Sequence, residues 1–339
     1  MKLKDIGEFG LIDNIARGEG KPGKRVVVGI GDDAAILRVR NDLLLVATTD
    51  TMIEGVHFDL SYSSFYSIGR KSMASNISDC AAMGGSAKEV LVTLGLPSDI
   101  EVKDVEELYR GMDALAKKYD IDIVGGDTVS SPKSLMINIT LLGEVDKKDL
   151  LLRSGAAVGD LIMVTGYLGD AAAGLEILQR RDRACPCPKI RTLTQKHLMP
   201  EPRAKEGMLL ARSGCVTSMI DNSDGLSRCV IELCRMSGVG AKINLAALPI
   251  SDETAAFCKK SGLDPIDLAM NGGEDYELVF TVPKRKAARV FSLFKKNSDI
   301  GLTVVGEIVD KNKGITVIDE AGRGKPLRSS GFDHFRGKR

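Results

Sequence analysis

Acidic residues in this chain are concentrated in six short signatures, and almost every one lies where an apolar run breaks at glycine or a small polar residue. A carboxylate on a loop just beyond a buried strand is well placed to reach a cleft. One such signature carries little information, because Asp and Gly are ordinary turn residues. Six such signatures, with hydroxyl-bearing residues and glycines beside them, predict a site that binds divalent cations and phosphate groups. The signatures are Gly31-Asp32-Asp33, Thr48-Thr49-Asp50-Thr51, Asn76-Ile77-Ser78-Asp79, Gly125-Gly126-Asp127-Thr128, Asp221-Asn222-Ser223-Asp224 and Gly272-Gly273-Glu274-Asp275.

Taken one at a time, these signatures also have structural explanations. Asp32-Asp33 suits a hairpin turn as well as a metal site, Asp50 suits the cap of a turn, and Asp127 suits a strand-to-loop bend. Asp224 follows Ser223 just before a predicted helix, which is typical of a helix N-cap. Asp79 lies among small residues that imply close packing, where a carboxylate needs a partner. The pair Glu274-Asp275 follows a glycine-rich loop that has no structural need for two acids.

Convergence of the six signatures would create an electrostatic problem. Two carboxylates about 4 Å apart repel by about 4 kcal/mol at an effective dielectric constant of about 20. Several such pairs exceed the stability margin of a typical domain, about 5–15 kcal/mol. Hard oxygen ligands in a chain with 3 histidines favour Mg²⁺ over zinc or copper. Because Mg²⁺ commonly uses one or two protein carboxylates, the surplus predicts more than one ion, bridging a polyphosphate.

Size and composition narrow the class of protein. A chain of 339 residues is long for one core and predicts two domains. Lys and Arg number 47 against 46 Asp and Glu, which gives no general attraction to nucleic acid or to an anionic membrane. The start of the chain lacks the apolar core of a signal peptide, and no apolar stretch approaches the length of a membrane helix. Seven scattered cysteines suggest reduced thiols and a cytoplasmic protein, with Cys185-Pro186-Cys187 in a variable loop.

Hydrophobic patterning predicts an α/β fold, with strands and helices mixed in both halves. A polar break at 146–148 predicts a domain boundary, with one domain at 1–147 and a second at 148–339. An irregular insertion is expected at 180–193. Strands are predicted at 26–30, 43–47, 90–96, 121–124, 135–145, 160–165, 218–221, 276–282, 303–308 and 314–318, and helices at 65–83, 102–119, 171–179 and from Leu226.

The order of the motifs resembles that of one family along nearly the whole chain. The matching patterns, some of which belong to a whole superfamily, are Gly7–Ile12, Gly29–Ala35, Thr49–Thr51, Asn76–Gly84, Gly125–Thr128, Arg153–Ala156 and Asp221–Leu226. More specific patterns are Glu54–Phe58, Gly272–Leu278 and Gly331–Phe335. On these residues the chain resembles the thiamine-monophosphate kinase family, within the superfamily of aminoimidazole ribonucleotide synthetase, selenophosphate synthetase and the hydrogenase-maturation dehydratase.

The resemblance implies a role for each motif. The implied Mg²⁺ ligands are Asp33, Asp50, Asp79, Asp221 and Asp224. The implied contacts of ATP or its phosphates are Asp33, Thr48, Thr49, Gly126, Asp127, Arg153 and Ser223. Thiamine phosphate would contact His57 and Glu274, and Phe332 would stack on a thiamine ring. Asp127, Arg153, Asp221 and Asp224 would be the catalytic residues.

Elementary chemistry agrees with several of these implied roles, although simpler explanations exist. An aromatic face and a nearby carboxylate suit a cationic thiazolium, and a guanidinium offers a planar fork to phosphate. The alternatives place Phe332 in a C-terminal core, His57 in an ordinary loop and Arg153 on the surface. Asn222 departs from the family, which usually has an apolar residue there; the change alters packing behind the metal loop and leaves the ligand spacing intact.

The resemblance implies an ATP-dependent kinase that converts thiamine monophosphate to thiamine diphosphate by direct in-line transfer. The implied fold has two α/β domains, with the N-terminal halves pairing into a homodimer through a shared β-sheet and ATP between the domains. The N-terminal domain would bind ATP and Mg²⁺ and dimerise, and the C-terminal domain would complete the nucleotide and substrate site. The alternatives are another ATP-dependent superfamily reaction, amidine cyclisation or selenophosphate synthesis, or a non-catalytic nucleotide-binding protein.

Overall fold

Six strands form the first of two mixed sheets in this computed structural model, which describes residues 3–18, 23–40, 42–180 and 188–327. The strand order is β1-β2-β3-β6-β4-β5, with β4 and β5 parallel and the other pairs antiparallel. The strands are β1 Val26–Val28, β2 Ala35–Arg38, β3 Leu43–Ile53, β4 Ser86–Leu96, β5 Asp122–Ser130 and β6 Met136–Asp146.

Helices α2, Phe65–Ala82, and α3, Val102–Tyr119, lie on one face of this sheet. Helix α1, Leu3–Gly18, opens the chain and is interrupted at Gly7; α2 packs on the sheet, and α3 packs on α2. Small residues allow the close approach of α2 and α3, because a Cβ at Gly69 would lie 1.9 Å from the Leu108 carbonyl oxygen. Side chains along β3 alternate between the buried face and the exposed face, as the two-residue period of a strand requires.

Seven strands form the second sheet, in the order β13-β12-β9-β11-β7-β10-β8. Apolar residues cover both of its faces: Ile162 and Val164 of β7 belong to one core cluster, and Met163 between them belongs to another. This two-sided burial explains the continuous apolar runs of these strands. The strands are β7 Asp160–Thr165, β8 Ser218–Asp221, β9 Gly240–Asn244, β10 Leu278–Pro283, β11 Leu302–Val309, β12 Ile315–Ile318 and β13 Gly324–Pro326.

Within the described residues, this second half of the chain has seven further α-helices. They are α4 Asp170–Gln179, α5 Pro188–Leu198, α6 Ala204–Ser213, α7 Leu226–Ser237, α8 Asp252–Ser261, α9 Pro265–Asn271 and α10 Ala287–Asn297. Across the described parts of the chain, no helix combines the length and the apolar character that crossing a membrane would need.

The predicted α/β fold is confirmed, but several local predictions are wrong. Thr48–Thr51 lies inside β3 and Gly125–Thr128 lies inside β5, where loops were expected, because neighbouring strands extend the hydrogen-bonded ladder past the last apolar residue. The insertion predicted to be irregular at 180–193 includes the start of α5, at Pro188. The loop containing Cys185-Pro186-Cys187 lies outside the described residues.

Candidate active site

Three carboxylates from three separate elements meet between the two sheets. Asp33 precedes β2, Asp79 lies in α2 and Asp221 is the last residue of β8. Each offers a carboxylate oxygen, and these oxygens all lie within 4.8 Å of one another. We call Asp33, Asp79 and Asp221 the acidic cluster. Three hard oxygen donors at this separation are a suitable ligand set for a divalent cation of the Mg²⁺ type.

The side chains around the acidic cluster hold it in place. Thr48 Oγ1 donates a hydrogen bond of 2.7 Å to Asp79 Oδ2, and Ser78 Oγ donates one of 2.7 Å to Asp221 Oδ2. Arg153 Nη2 donates to Asp33 Oδ1 at 2.6 Å. Within the described residues, the buried Asp33 Oδ2 has no hydrogen-bond partner. A buried acceptor without a donor carries a large desolvation cost, so this oxygen fits a cation ligand.

Burial and mutual repulsion perturb the charges of the acidic cluster. Burial raises the pKa of Asp79 well above its ordinary value, and Asp50 and Asp221 raise it further. Burial also raises the pKa of Asp221, with Asp33 adding to the effect. In the metal-free protein, burial and repulsion therefore favour the protonated forms of Asp79 and Asp221, and a bound cation would favour their charged forms.

Two other predicted metal ligands border the acidic cluster. Burial raises the pKa of Asp50, opposed by a hydrogen bond with Ser75 and reinforced by Glu8. Burial raises the pKa of Asp224 to about 7, and Glu8 adds to the effect. The N-cap explanation for Asp224 does not apply, because the cap of α7 is Gly225, with no side-chain cap hydrogen bond.

Arg153 is largely buried against the acidic cluster, which contradicts the alternative that places it on the surface. Its side chain is 17% exposed and makes the ion pair with Asp33. Its backbone N–H donates to Asp32 Oδ2 at 3.2 Å. Burial raises the pKa of Asp32 to about 6, and Asp33 adds to the effect. The sequence analysis assigned no role to Asp32. The acidic signature that contains it was the available indication that it belongs to the site.

Thr49 and Asp127 lie away from the acidic cluster. Thr49 points to the exposed face of the first sheet, opposite to Thr48, and its Oγ1 accepts a hydrogen bond of 3.0 Å from Asn138 Nδ2. Asp127 lies in β5 opposite Thr93, which in turn faces Asn138. Cross-strand partners share a face, so Asp127 and Thr49 share the exposed one. The strands of Asp127 and Thr49 are three strand spacings apart, roughly 14 Å.

Gly126 also has a structural reason for being glycine. Its φ of +155° lies in a region that side chains rarely adopt, and a Cβ would lie 1.7 Å from the Val92 carbonyl oxygen. The register of β4 and β5 shifts nearby, between Val90 and Leu91. The double glycine of this signature therefore permits close contact between two strands.

Two loops that carry predicted site residues are joined by backbone hydrogen bonds. The Glu274 N–H donates to the Ser223 carbonyl at 2.7 Å, and the Tyr276 N–H donates to the Asn222 carbonyl at 3.1 Å. The Asn222 side chain is buried, and its Oδ1 accepts from Cys229 Sγ at 3.4 Å. Thus the polar side chain at position 222 has a hydrogen-bond partner behind the loop.

Asp275 has a structural role that the sequence analysis did not predict. Its carboxylate accepts hydrogen bonds from the backbone N–H groups of Gly169, at 2.7 Å, and Ala171, at 3.0 Å. These groups lie at the start of α4, where helices leave N–H groups unpaired. Burial raises the pKa of Asp275 to about 8, against the lowering effect of these hydrogen bonds. The loop therefore does need this second acid.

Two of the residues predicted to contact thiamine phosphate, His57 and Glu274, both contact Lys71 of α2. His57 Nδ1 accepts a hydrogen bond of 3.0 Å from the Ile53 N–H. Glu274 Oε1 lies 2.6 Å from Lys71 Nζ, and Glu274 Oε2 lies 3.1 Å from His197 Nδ1. Phe332 lies outside the described residues. The sequence analysis missed Lys71 and His197; a lone lysine among the small residues of α2 was the available signal for Lys71.

Comparison with known proteins finds two family models that match successive parts of the chain. The family "AIR synthase related protein, N-terminal domain" matches residues 31–145, and "AIR synthase related protein, C-terminal domain" matches residues 157–319.

Individual relatives are similar over nearly their full length. The thiamine-monophosphate kinase of Buchnera aphidicola subsp. Schizaphis graminum is 34% identical, over 98% of this chain and 99% of the relative. That of Aquifex aeolicus is 36% identical, over 99% and 100%. A solved structure described as "AaThiL complexed with AMPPCP and TMP" is 36% identical, covers 99% of both chains and has a TM-score of 0.86. The chain belongs to the thiamine-monophosphate kinase family.

Proposed function

We propose that this protein is an ATP-dependent kinase that transfers the γ-phosphoryl group of ATP to thiamine monophosphate, giving thiamine diphosphate and ADP. The observation that carries the proposal is the acidic cluster with Arg153 bonded to it, between the two halves of a chain of this family. A similar chain binds AMPPCP, an ATP analogue, together with TMP.

The acidic cluster supplies the charges that a phosphoryl transfer needs. Asp33, Asp79 and Asp221 would hold Mg²⁺, and Asp50 and Asp224 at its border would hold further ions. Bound Mg²⁺ would neutralise the negative charge of the ATP phosphates. The acidic cluster suits a metal ion because the buried Asp33 Oδ2 lacks a hydrogen-bond donor among the described residues.

The protein's own groups would bind and orient the reactants. The acceptor is a phosphate oxygen of the substrate, which is already ionised at neutral pH, so no general base is required. The Arg153 guanidinium would stabilise charge on the transferring phosphoryl group, with Ser223 on the adjoining loop contacting the nucleotide. Alignment and charge neutralisation then account for the rate.

The substrate end would consist of His57, Glu274 and Phe332. His57 and Glu274 are linked through Lys71, which contacts the carbonyl of the first and the carboxylate of the second. We assign Phe332 the role of stacking on a thiamine ring, as the sequence analysis predicts.

A homodimer is the proposed assembly. The face of the first sheet opposite α2 carries exposed apolar side chains, among them Ile53, Leu91 and Val129. Thr49 and Asp127 lie on this same face, away from the acidic cluster of their own chain, so pairing of two such faces would bury both residues in the interface between the chains. Sedimentation equilibrium gives the test: a monomer at micromolar concentration would contradict the homodimer.

The two domains and the compartment complete the proposal. We assign residues 1–147 to the domain for ATP, Mg²⁺ and dimerisation, and 148–339 to the domain that completes the nucleotide and substrate site. The described cysteines Cys80, Cys215, Cys229, Cys234 and Cys258 are free and buried, which fits a reducing compartment such as the cytoplasm.

One assay tests the activity. Purified protein is incubated with ATP, Mg²⁺ and thiamine monophosphate, and the products are separated by chromatography. Thiamine diphosphate and ADP are expected in equal amounts, and Asp221→Asn should abolish turnover while the fold is retained. Absence of product with ATP still bound would refute the kinase and favour a nucleotide-binding protein. ATP hydrolysis with only an amidine or selenide acceptor would favour the other superfamily reactions.

A further inference from the structure

Lys71 is a buried cation that the proposed transfer does not use. Its side chain is 3% exposed and lies on α2. Lysine is almost never fully buried without a partner. Lys71 Nζ lies 2.6 Å from Glu274 Oε1 and donates a hydrogen bond of 3.4 Å to the His57 carbonyl oxygen. Lys71 therefore contacts both described residues that are assigned to thiamine monophosphate.

His197 lies beside the other oxygen of the same carboxylate. Its Nδ1 is 3.1 Å from Glu274 Oε2, and its side chain is 4% exposed. The two atoms are close but not aligned as a hydrogen bond, so His197 Nδ1 has no such partner in the described parts of the chain. Burial lowers the pKa of His197, and Lys71 lowers it further, so the ring is neutral at neutral pH. A small rotation of the carboxylate would align the pair.

The backbone at Glu274 does not favour the observed position by itself. Glu274 has a φ of 67°, in the left-handed region that residues other than glycine seldom occupy. Such a conformation persists only where the surrounding structure enforces it. The ion pair with Lys71 and the hydrogen bond from the Glu274 N–H to Ser223 are the contacts that enforce it.

Charge pairing changes what Glu274 offers to a ligand. Burial acts to raise the pKa of Glu274, but the attraction of the Lys71 ammonium outweighs it and, with His197 beside the second oxygen, holds that pKa below its ordinary value. Lys71 and Glu274 together carry no net charge, so they attract a cationic ring less strongly than a lone carboxylate would. The pair instead offers an acceptor at a defined position. Lys71 and Asp79 lie eight residues apart on α2, about 12 Å along the axis, so one helix links this pair to the acidic cluster.

We infer that Lys71 and His197 are positioning residues for the acceptor substrate. Lys71 fixes the Glu274 carboxylate relative to His57, and His197 sets the rotation of that carboxylate. The inference rests on the proposed function, because it takes Glu274 and His57 as contacts of thiamine monophosphate. It predicts an effect on the acceptor and little effect on ATP.

The first experiment compares two neighbouring residues of α2. In Lys71→Met the KM for thiamine monophosphate should rise about tenfold to hundredfold, the range for one lost charge-assisted hydrogen bond, with the KM for ATP within about twofold. Lys71→Arg should recover part of the loss. Arg70→Met is the matched control, because Arg70 pairs with Glu201 at 2.7 Å; it should change thermal stability and leave both KM values unchanged.

A double variant separates positioning from folding. Lys71→Met leaves the Glu274 carboxylate without its cation, which could unfold the protein, whereas Lys71→Met with Glu274→Gln removes both charges. If Lys71 acts through Glu274, the double variant should have the same KM for thiamine monophosphate as Glu274→Gln alone. Additive effects of the two changes, or equal rises in both KM values, would overturn the inference.

His197 gives an independent readout. His197→Asn retains a donor near the Nδ1 position and should keep the KM for thiamine monophosphate close to that of the unchanged protein, whereas His197→Leu should raise it. Equal KM values in the two variants would contradict the role of His197. The unchanged protein is assayed alongside. If it makes no thiamine diphosphate, the proposed function is refuted. If it makes thiamine diphosphate and Lys71→Met has the same KM for thiamine monophosphate, only the inference about Lys71 is refuted.

Discussion

Replacing Asp79 by asparagine should stabilise the metal-free protein while it removes activity. The acidic cluster places carboxylate oxygens of Asp33, Asp79 and Asp221 within 4.8 Å of one another. Two full charges at that distance repel by about 3.5 kcal/mol at an effective dielectric constant of about 20. Three such repulsions would approach the whole stability of a typical domain, about 5–15 kcal/mol, so the metal-free cluster must keep protons.

The magnitude follows from the cost of keeping a proton on Asp79. Its pKa in the folded protein is raised well above the ordinary 3.8, so between these two pKa values the folded state binds a proton that the unfolded chain releases. Stability therefore falls as the pH rises from about 4 through the folded pKa. At about 1.4 kcal/mol per pH unit, the cost reaches an upper limit of about 4 kcal/mol at pH 7. Asp79→Asn needs no proton and should recover up to that amount.

The assay is urea unfolding at pH 4, 5.5, 7 and 8, with a chelator and again with excess Mg²⁺. In chelator the gain of Asp79→Asn should be near zero at pH 4 and grow towards pH 7. In Mg²⁺ the unchanged protein should gain stability by ion binding, and the variant should gain less. Asp99→Asn, at an exposed position, is the control and should show neither effect. A variant that is less stable than the unchanged protein at pH 8 in chelator would refute the reasoning.

Two further predictions concern other contacts of the site. Arg153→Lys keeps the charge but loses the planar guanidinium, whose Nη2 donates to Asp33, so kcat should fall about a hundredfold with the fold retained. Single-turnover kinetics test this, and a full-rate variant would remove Arg153 from the transfer step. Asp275→Ala should lower the free energy of unfolding by about 1–2 kcal/mol because the N–H groups of Gly169 and Ala171 lose their acceptor. The pKa of Asp275 is raised to about 8, so its loss of a proton should lower the Tm as the pH rises from 5 to 8. Asp275→Asn has no such proton and should reduce this fall in Tm; an unchanged pH profile would contradict that explanation.

Local patterns predicted much of the fold because they depend on neighbouring residues only. The α/β class is visible in runs such as Asp160–Thr165, where apolar residues continue to a small-residue turn. The strand limits at Thr48–Thr51 and Gly125–Thr128 were wrong because ladder hydrogen bonds come from other strands. No pattern within a polar segment records whether a neighbouring strand continues beside it.

The sequence likewise predicted which acidic residues belong to the site, but not how they are arranged in space. Asp33, Asp79 and Asp221 were predicted as metal ligands from motifs far apart in the chain, and the structure brings them together. Asp275 belonged to the same kind of signature, yet it caps a helix. The difference depends on which N–H groups or carboxylates lie within about 3 Å in space, and residue type alone does not encode that distance.

The sequence by itself determined the family, the α/β class and the set of chemically active residues, because motif order and hydrophobic periodicity are properties of the chain. Only the tertiary structure decided which carboxylates share one cluster, that Thr49 and Asp127 face away from it, and that Glu274 is paired with Lys71. These outcomes depend on distance and burial, which set the strength of electrostatic interactions and arise only when helices and strands from both halves pack together.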